Sequence, residues 1–465
     1  MIFWGLAAAC RPDGPAEHAQ LWASQGWSAL IPSVATVSFA PPEGARSWVE
    51  YGRGDALDLA TPPTDAHSIA VLGLASGVSY RWRVVSERGG QRWESAEHTL
   101  EVPLAPPSVP RLLVQRADPE ALAPAGFVLG STANDLSEPT EGWVVIWNGA
   151  GEPVWWWRHE PGRLTTTTWV GATPGTVGWD AVDPGATGSR IHRARLDGTE
   201  IVTVDRADAQ DAASEIEPGV LAWVGRDLLP LGAGVWINGD ALFEAPIDGP
   251  PAPEPLVRLY DSFWGGSYTA PCDHPLTPHA IGDLEVVYEL GEVSSLVAVP
   301  PLDALLVHVR WFDTTLLVDR ATGDIVWRLG GPWSDFSGPQ GEPLWTSPTD
   351  TLTSHGFLSD AWDGGMVMFD NGVHHDPPVA SLVELAWDAE AHTVEEVRRF
   401  ADPLGRSVPI LGDARRLPDG HLLGAWSTLG ELNEIDADGV ERWRAATTPE
   451  RAIGRVRWIA DLYAP

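Results

Sequence analysis

The residues able to do chemistry are few and uneven in type. All 30 basic side chains are arginine, and lysine is absent. This excludes a P-loop ATPase, a protein kinase of the usual kind, a pyridoxal Schiff base and a lysine general base. What remains for anion recognition is guanidinium, whose planar fork suits an oxyanion. The two cysteines, Cys10 and Cys272, are too few for a disulfide framework or a cysteine zinc site. Histidines gather at His374-His375-Asp376 and within Asp273-His-Pro-Leu-Thr-Pro-His279. Adjacent side chains of an extended segment point to opposite faces, and two prolines follow the first run, so it reads as a surface loop rather than a metal site. The second run reads as a loop too. No metal site and no cofactor are assigned. Taken alone, His355 is a loop imidazole, and Arg310 is a strand guanidinium with Glu292 and Asp313 as candidate partners.

The elements that must position these groups are β-strands. With 48 Gly, 41 Pro and 25 Trp among 465 residues, short apolar runs are separated by Gly, Pro, Asp and Asn. That is the punctuation of hairpins. No long stretch carries apolar residues at helical spacing between caps, so a helical or βαβ fold is not expected. The net charge of -34 opposes contact with nucleic acid or anionic lipid through a basic face, and no nucleic-acid partner is expected.

Residues 1–26 read as a leader and tether. Met1-Ile-Phe-Trp-Gly-Leu-Ala-Ala-Ala-Cys10 looks like a truncated bacterial lipoprotein signal, which makes Cys10 the expected lipidation site and the only expected link to a membrane. Residues 27–103 alternate as strands at Thr36–Phe39, Ser47–Tyr51, Ser68–Leu72 and Ser79–Val85. Leu74-Ala-Ser-Gly-Val-Ser-Tyr80 resembles the tyrosine corner of fibronectin type III domains, which predicts a small β-sandwich. Pro103-Leu-Ala-Pro-Pro-Ser-Val-Pro110 follows, with residues 104–110 as a stiff linker. Beyond it, Gly-x-x-x-Trp recurs at Gly151–Trp155, Gly323–Trp327 and Gly439–Trp443, each after a strand and a polar turn, while Arg195-Leu-Asp-Gly-Thr-Glu-Ile-Val202 is a related unit with Val in the Trp place. A second unit, a turn Gly before an apolar strand, recurs at Glu217–Trp223, Asp363–Phe369 and Pro418–Trp426. Repeated hairpins with irregular insertions predict propeller blades over 111–465. The fold class is therefore all-β, a small sandwich followed by a β-propeller.

The order of these units resembles the bacterial arylsulfate sulfotransferase family over residues 111–463. The most specific stretch is Val307-His-Val-Arg-Trp-Phe-Asp-Thr-Thr-Leu-Leu-Val-Asp-Arg-Ala-Thr-Gly-Asp-Ile-Val-Trp-Arg-Leu-Gly-Gly331, with further matches at Phe369-Asp-Asn-Gly372, Arg416–Gly420 and Gly430–Gly439. The resemblance implies six blades around an axial cavity. It also implies a histidine that takes a sulfuryl group from an aryl sulfate and passes it to a phenol, with His355 at the nucleophile's place and Arg310 at that of the sulfate-binding arginine. It implies a bacterial envelope location, periplasmic or at the surface.

Three positions depart from the family pattern. Asp211 and Glu292 stand where the family has imidazoles, and Ser294 stands where it has asparagine. Carboxylates at contact distance repel a sulfuryl group by several kcal/mol in a low-dielectric pocket. The expected function is thus an arylsulfate sulfotransferase-like envelope protein with impaired transfer. The alternative is a non-catalytic propeller that binds a partner or a small aromatic ligand.

Overall fold

The computed structural model describes residues 21–136, 140–182, 189–206, 208–250, 254–263, 279–281, 284–347 and 349–464. Cys10, Cys272, His274 and the side chains of Asp211 and His279 lie outside this description. No helix among the described residues is long and apolar enough to cross a membrane. The chain divides into two compact units.

The first unit comprises the described residues up to Trp27 together with Ala35–Val71 and Gly77–Val102. One of its sheets has the order Ala23–Trp27, Ala35–Phe39, Ser68–Val71. The other runs Leu59–Ala60, Arg46–Arg53, Ser79–Arg88, Gln91–Glu94, and His98–Glu101 also pairs with Ser79–Arg88. Alternation along Ser79–Arg88 buries Tyr80, Trp82 and Val84 on one face. The buried Trp82 is satisfied by donating from Nε1 to Gln25 Oε1 at 2.6 Å.

The second unit holds Pro103–Pro465 with Ser28–Val34 and Leu72–Ser76. Among its described residues, six antiparallel sheets repeat one path. Their leading strands are Thr168–Val170, Ala209–Glu217, Val293–Val299, Phe357–Trp362, Asp413–Arg416 and Ala452–Ile459, and each strand thereafter pairs with the next outward. The leading strands neighbour one another in a closed ring. This is a β-propeller. The ring is closed by strands from both ends of the 111–459 segment. Ala452–Ile459 leads the sheet formed by Phe127–Ala133, Gly142–Asn148 and Pro153–Arg158, while Arg111–Ala117 adds a fifth strand to the sheet led by Asp413–Arg416. A mixed sheet is built from two insertions: Leu228–Gly232 and Val235–Asn238 follow the second strand of the Ala209–Glu217 sheet, and His279–Ile281 and Leu284–Glu289 follow its fourth, Val257–Arg258.

The sequence repeats fall on equivalent hairpins. Gly151, Gly323 and Gly439 each turn the third strand of a sheet into the fourth with φ of 79°, 75° and 82°. A Cβ at Gly151 would lie 2.0 Å from the Leu112 carbonyl oxygen, so the turn needs glycine for space as well as for its left-handed backbone. Four residues on, the ring fills the gap to the next sheet. Trp155 meets Trp179 edge-on at 6.2 Å, Trp327 meets Trp387 at 5.7 Å, and Trp443 packs in one cluster with Trp143 and Trp147. The second repeat, at Gly219, Gly364 and Gly420, turns first strands into second strands.

The axis is crossed by a single side chain from Ala452–Ile459. Arg455, almost wholly buried, donates to the Ser294 carbonyl and to Ser295 Oγ (2.6 Å) on one facing strand, and to the Leu358 carbonyl (3.3 Å) on the next. One guanidinium thus joins three leading strands.

Candidate functional site

Just ahead of three of the leading strands the backbone is unusual. Glu292, His355 and Leu411 have φ of 51°, 54° and 60°, and each stands one or two residues before a leading strand. Asp313, at the end of the short turn Arg310–Phe312, has φ of 47°. A left-handed residue other than glycine costs about 1–2 kcal/mol, so the surrounding contacts must hold each one in place.

Beside Arg455 lies a cavity of about 60 Å³, lined by Leu136, Leu164, Thr166, Glu292, Ser294, Phe357, Ile410 and Leu411. Its polar points are one carboxylate and two hydroxyls in an otherwise apolar wall. Arg310 stands beside this wall with its guanidinium 5.6 Å from the Phe357 ring centroid. Its Nη1 donates to Glu292 Oε1 at 2.7 Å and its Nη2 to the Pro409 carbonyl at 2.8 Å. The cation is therefore matched by a carboxylate and tied to backbone. Ser294 Oγ donates to the Gly356 carbonyl at 3.2 Å, which links the cavity wall to the residue after His355.

His355 is buried, and its backbone N–H donates to Asp313 Oδ1 at 2.5 Å. Burial pushes the Asp313 carboxyl well above the usual carboxylate range. The His355 Nε2 lies 3.2 Å from Nε2 of His374, with the rings edge to face at 4.6 Å. His374 and His375 do point to different partners, as alternation predicts; the run is a loop in which both imidazoles are half-buried against the site and Asp376 is exposed. Its anchor is Asp370, fully buried at the end of a second strand. One oxygen of Asp370 accepts from the backbone N–H groups of Ser354 (2.8 Å) and Gly372 (2.9 Å), and the other contacts His375 Nε2 (2.9 Å) and Arg399 Nη1 (2.5 Å). Burial alone would raise the Asp370 carboxyl, but the His375 hydrogen bond and the Arg399 charge together hold it below its usual value. The same bond raises His375 against the opposing effect of its own burial.

The structure thus gathers Arg310, Glu292 and Ser294 at the cavity, and sets His355 beside them through Asp313 and Phe357. Asp211 belongs to the leading strand Ala209–Glu217, with its side chain outside the description. Sequence reasoning missed Asp370 and Arg399, and it set His374 and His375 aside as a surface loop. The signal within reach was Asp370 itself, in the Phe369-Asp-Asn-Gly372 match, because a carboxylate closing an apolar strand must have partners when buried.

A further imidazole lies below. His308 is fully buried, its Nδ1 is 3.0 Å from Thr315 Oγ1, and burial, aided by the charges of Arg310 and Arg455, pulls its pKa down to about 3. A depressed histidine costs nothing above pH 6.5, where neither state carries the proton. Below that, the unfolded chain takes a proton that the folded one refuses, and stability is lost as pH falls toward 3. Between pH 6.5 and 4 this one group should remove about 3 kcal/mol. Compared with wild type, His308→Gln should therefore lose about 3 kcal/mol less over that interval in urea unfolding. Equal losses in the two proteins would refute the assignment.

No protein-family model matches the chain, and no curated relative matches it. Similar solved structures include a protein of unknown function from Bacteroides caccae (13% identity, TM-score 0.41, covering 72% of this chain and 99% of that one). A streptogramin B lyase is similar at 8% identity and TM-score 0.38, covering 76% of this chain and 100% of that one. Regucalcin, a calcium-binding protein from Agrobacterium tumefaciens, is similar at 13% identity and TM-score 0.34, covering 61% and 77%. At such values these likenesses bear on neither chemistry nor ligand.

Proposed function

We propose that this chain is a propeller whose axial cavity holds a small uncharged or cationic ligand, or the end of a larger one, and that it does not transfer sulfuryl groups efficiently. The observation that carries this reading is the Arg310–Glu292 ion pair at 2.7 Å, with Glu292 lining the cavity. A sulfate ester entering there would meet a carboxylate and an arginine already neutralised by it, and would have to be desolvated among apolar side chains. A ligand offering a ring to Phe357 and a donor to Glu292 meets no such opposition. The six sheets are taken as six blades. In this reading the protein sits at the bacterial cell envelope, tethered through a lipid on Cys10, and has no nucleic-acid partner.

A second reading is sulfuryl transfer through His355. It is favoured by the placement of a buried imidazole in left-handed backbone two residues before Phe357. In that reaction the His355 nitrogen would attack sulfur, the phenolate would leave with the bonding pair, and a phenol acceptor would then displace histidine from sulfur while losing its proton.

One experiment separates the two. The protein is incubated with 4-nitrophenyl sulfate, followed by intact mass and by nitrophenolate release, and in parallel titrated with benzylamine by thermal shift. The binding reading expects no covalent adduct, no release above the His355→Ala background, and a benzylamine shift that Glu292→Ala abolishes. A stoichiometric sulfo-adduct lost in His355→Ala overturns it in favour of the enzyme.

A further inference from the structure

Away from the axis, a first-to-second-strand hairpin and the strand beside it bring three metal-ligating side chains together. Asp419 and His421 flank the turn glycine Gly420, and Glu434 lies on the adjacent strand Glu431–Ile435. One ligand atom from each lies within 4.8 Å of the others. His421 Nδ1 is 2.7 Å from Glu434 Oε1 and 3.3 Å from Asp419 Oδ2.

We propose that Asp419, His421 and Glu434 form a binding site for a divalent transition-metal ion, with zinc the best fit, completed by solvent. Three observations support it. First, the ligands are held in place by backbone rather than by one another. Glu434 is wholly buried and accepts from the N–H groups of Leu122 (2.8 Å) and Ala123 (2.6 Å), one on each oxygen. Asp419 Oδ1 accepts from the His421 N–H at 3.0 Å, which leaves Oδ2 toward the imidazole. Hydrogen bonds of this kind orient metal-binding carboxylates.

Second, two carboxylates converge on one imidazole nitrogen. Nδ1 of a neutral imidazole carries at most one proton and cannot serve two carboxylates as a full donor. A divalent ion in place of that proton neutralises both. Third, the spacing is one an ion could draw into place: tetrahedral bonds of about 2.0–2.2 Å put neighbouring ligand atoms roughly 3.3–3.6 Å apart, which the His421–Asp419 pair meets at 3.3 Å, while the His421–Glu434 pair, at 2.7 Å, would open by about 0.6 Å. The mixed nitrogen and oxygen set favours zinc over calcium or magnesium, which take oxygen alone. Because Glu434 also holds Leu122 and Ala123, which precede the sheet closed by Ala452–Ile459, the ion would fasten the two ends of the ring together.

The test is calorimetric titration of the full chain with zinc chloride after removal of bound metal by a chelator, with thermal unfolding in parallel. One saturable equivalent and a raised Tm are expected. Affinity should fall at least tenfold in His421→Ala and in Asp419→Asn, the latter an exposed change that leaves the core intact. Absence of saturable binding in the wild type overturns the proposal. So does one-equivalent binding of unchanged affinity in both variants, which would assign the ion elsewhere, for instance to His355 and His374.

Discussion

Replacing Arg455 by Met should lower the unfolding free energy by about 3–5 kcal/mol, one of the two largest effects expected of any single change in this protein. Methionine keeps much of the volume but cannot donate. It leaves the carbonyls of Ser294 and Leu358 and the hydroxyl of Ser295 buried without the guanidinium they now share. Each orphaned acceptor costs about 1–3 kcal/mol, and the three lie on two strands that Arg455 ties to its own. The same change releases Asp180. That carboxyl is fully buried, accepts from Thr166 and Thr167, and is pushed up to about 6 by burial, with the Arg455 charge opposing the rise. Without Arg455 it should titrate higher. Urea unfolding monitored by tryptophan fluorescence measures the loss; a change below about 1 kcal/mol would show that water replaces the guanidinium at the axis.

The second large effect is expected at Asp370. Asp370→Ala removes the acceptor of two backbone N–H groups and leaves Arg399 and His375 without their shared carboxylate. Breaking a buried ion pair from one side costs about 3–5 kcal/mol. The change also carries a pH signature. His375 is raised by its bond to Asp370, so its contribution is complete below pH 6.5 and is lost as pH rises through its folded value. Wild-type stability should therefore decline above pH 6.5 by an amount that Asp370→Ala does not show. Because Asp370 also fixes the Ser354 N–H, the His355 ring should lose its register with His374, readable as a changed imidazole titration in NMR spectra. A variant with unchanged stability and unchanged imidazole titration would remove Asp370 from the support of the site.

Much of the architecture was legible in the chain because it rests on local chemistry. The Gly-x-x-x-Trp spacing encodes a left-handed turn and, four residues on along the same strand face, a ring that closes the gap to the next sheet. This holds at Gly151–Trp155, Gly323–Trp327 and Gly439–Trp443 whatever surrounds them. Alternation likewise marked Ser79–Val85 as a strand with one buried face, and the strand runs on to Arg88. The site was only half legible. Arg310 and Glu292 were readable as a candidate pair 18 residues apart, but only the close approach of the turn Arg310–Phe312 to the backbone of Gly291 and Glu292 decides that the guanidinium is spent on that carboxylate. The Nε2 contact of His355 with His374 depends on left-handed backbone at a histidine, which no residue type announces. Nothing in the sequence sets Arg455 apart from the other arginines. Its role exists because a closed ring sets the strand Ala452–Ile459 across from Val293–Val299, and such a distance across the axis is fixed by ring closure, not by sequence separation.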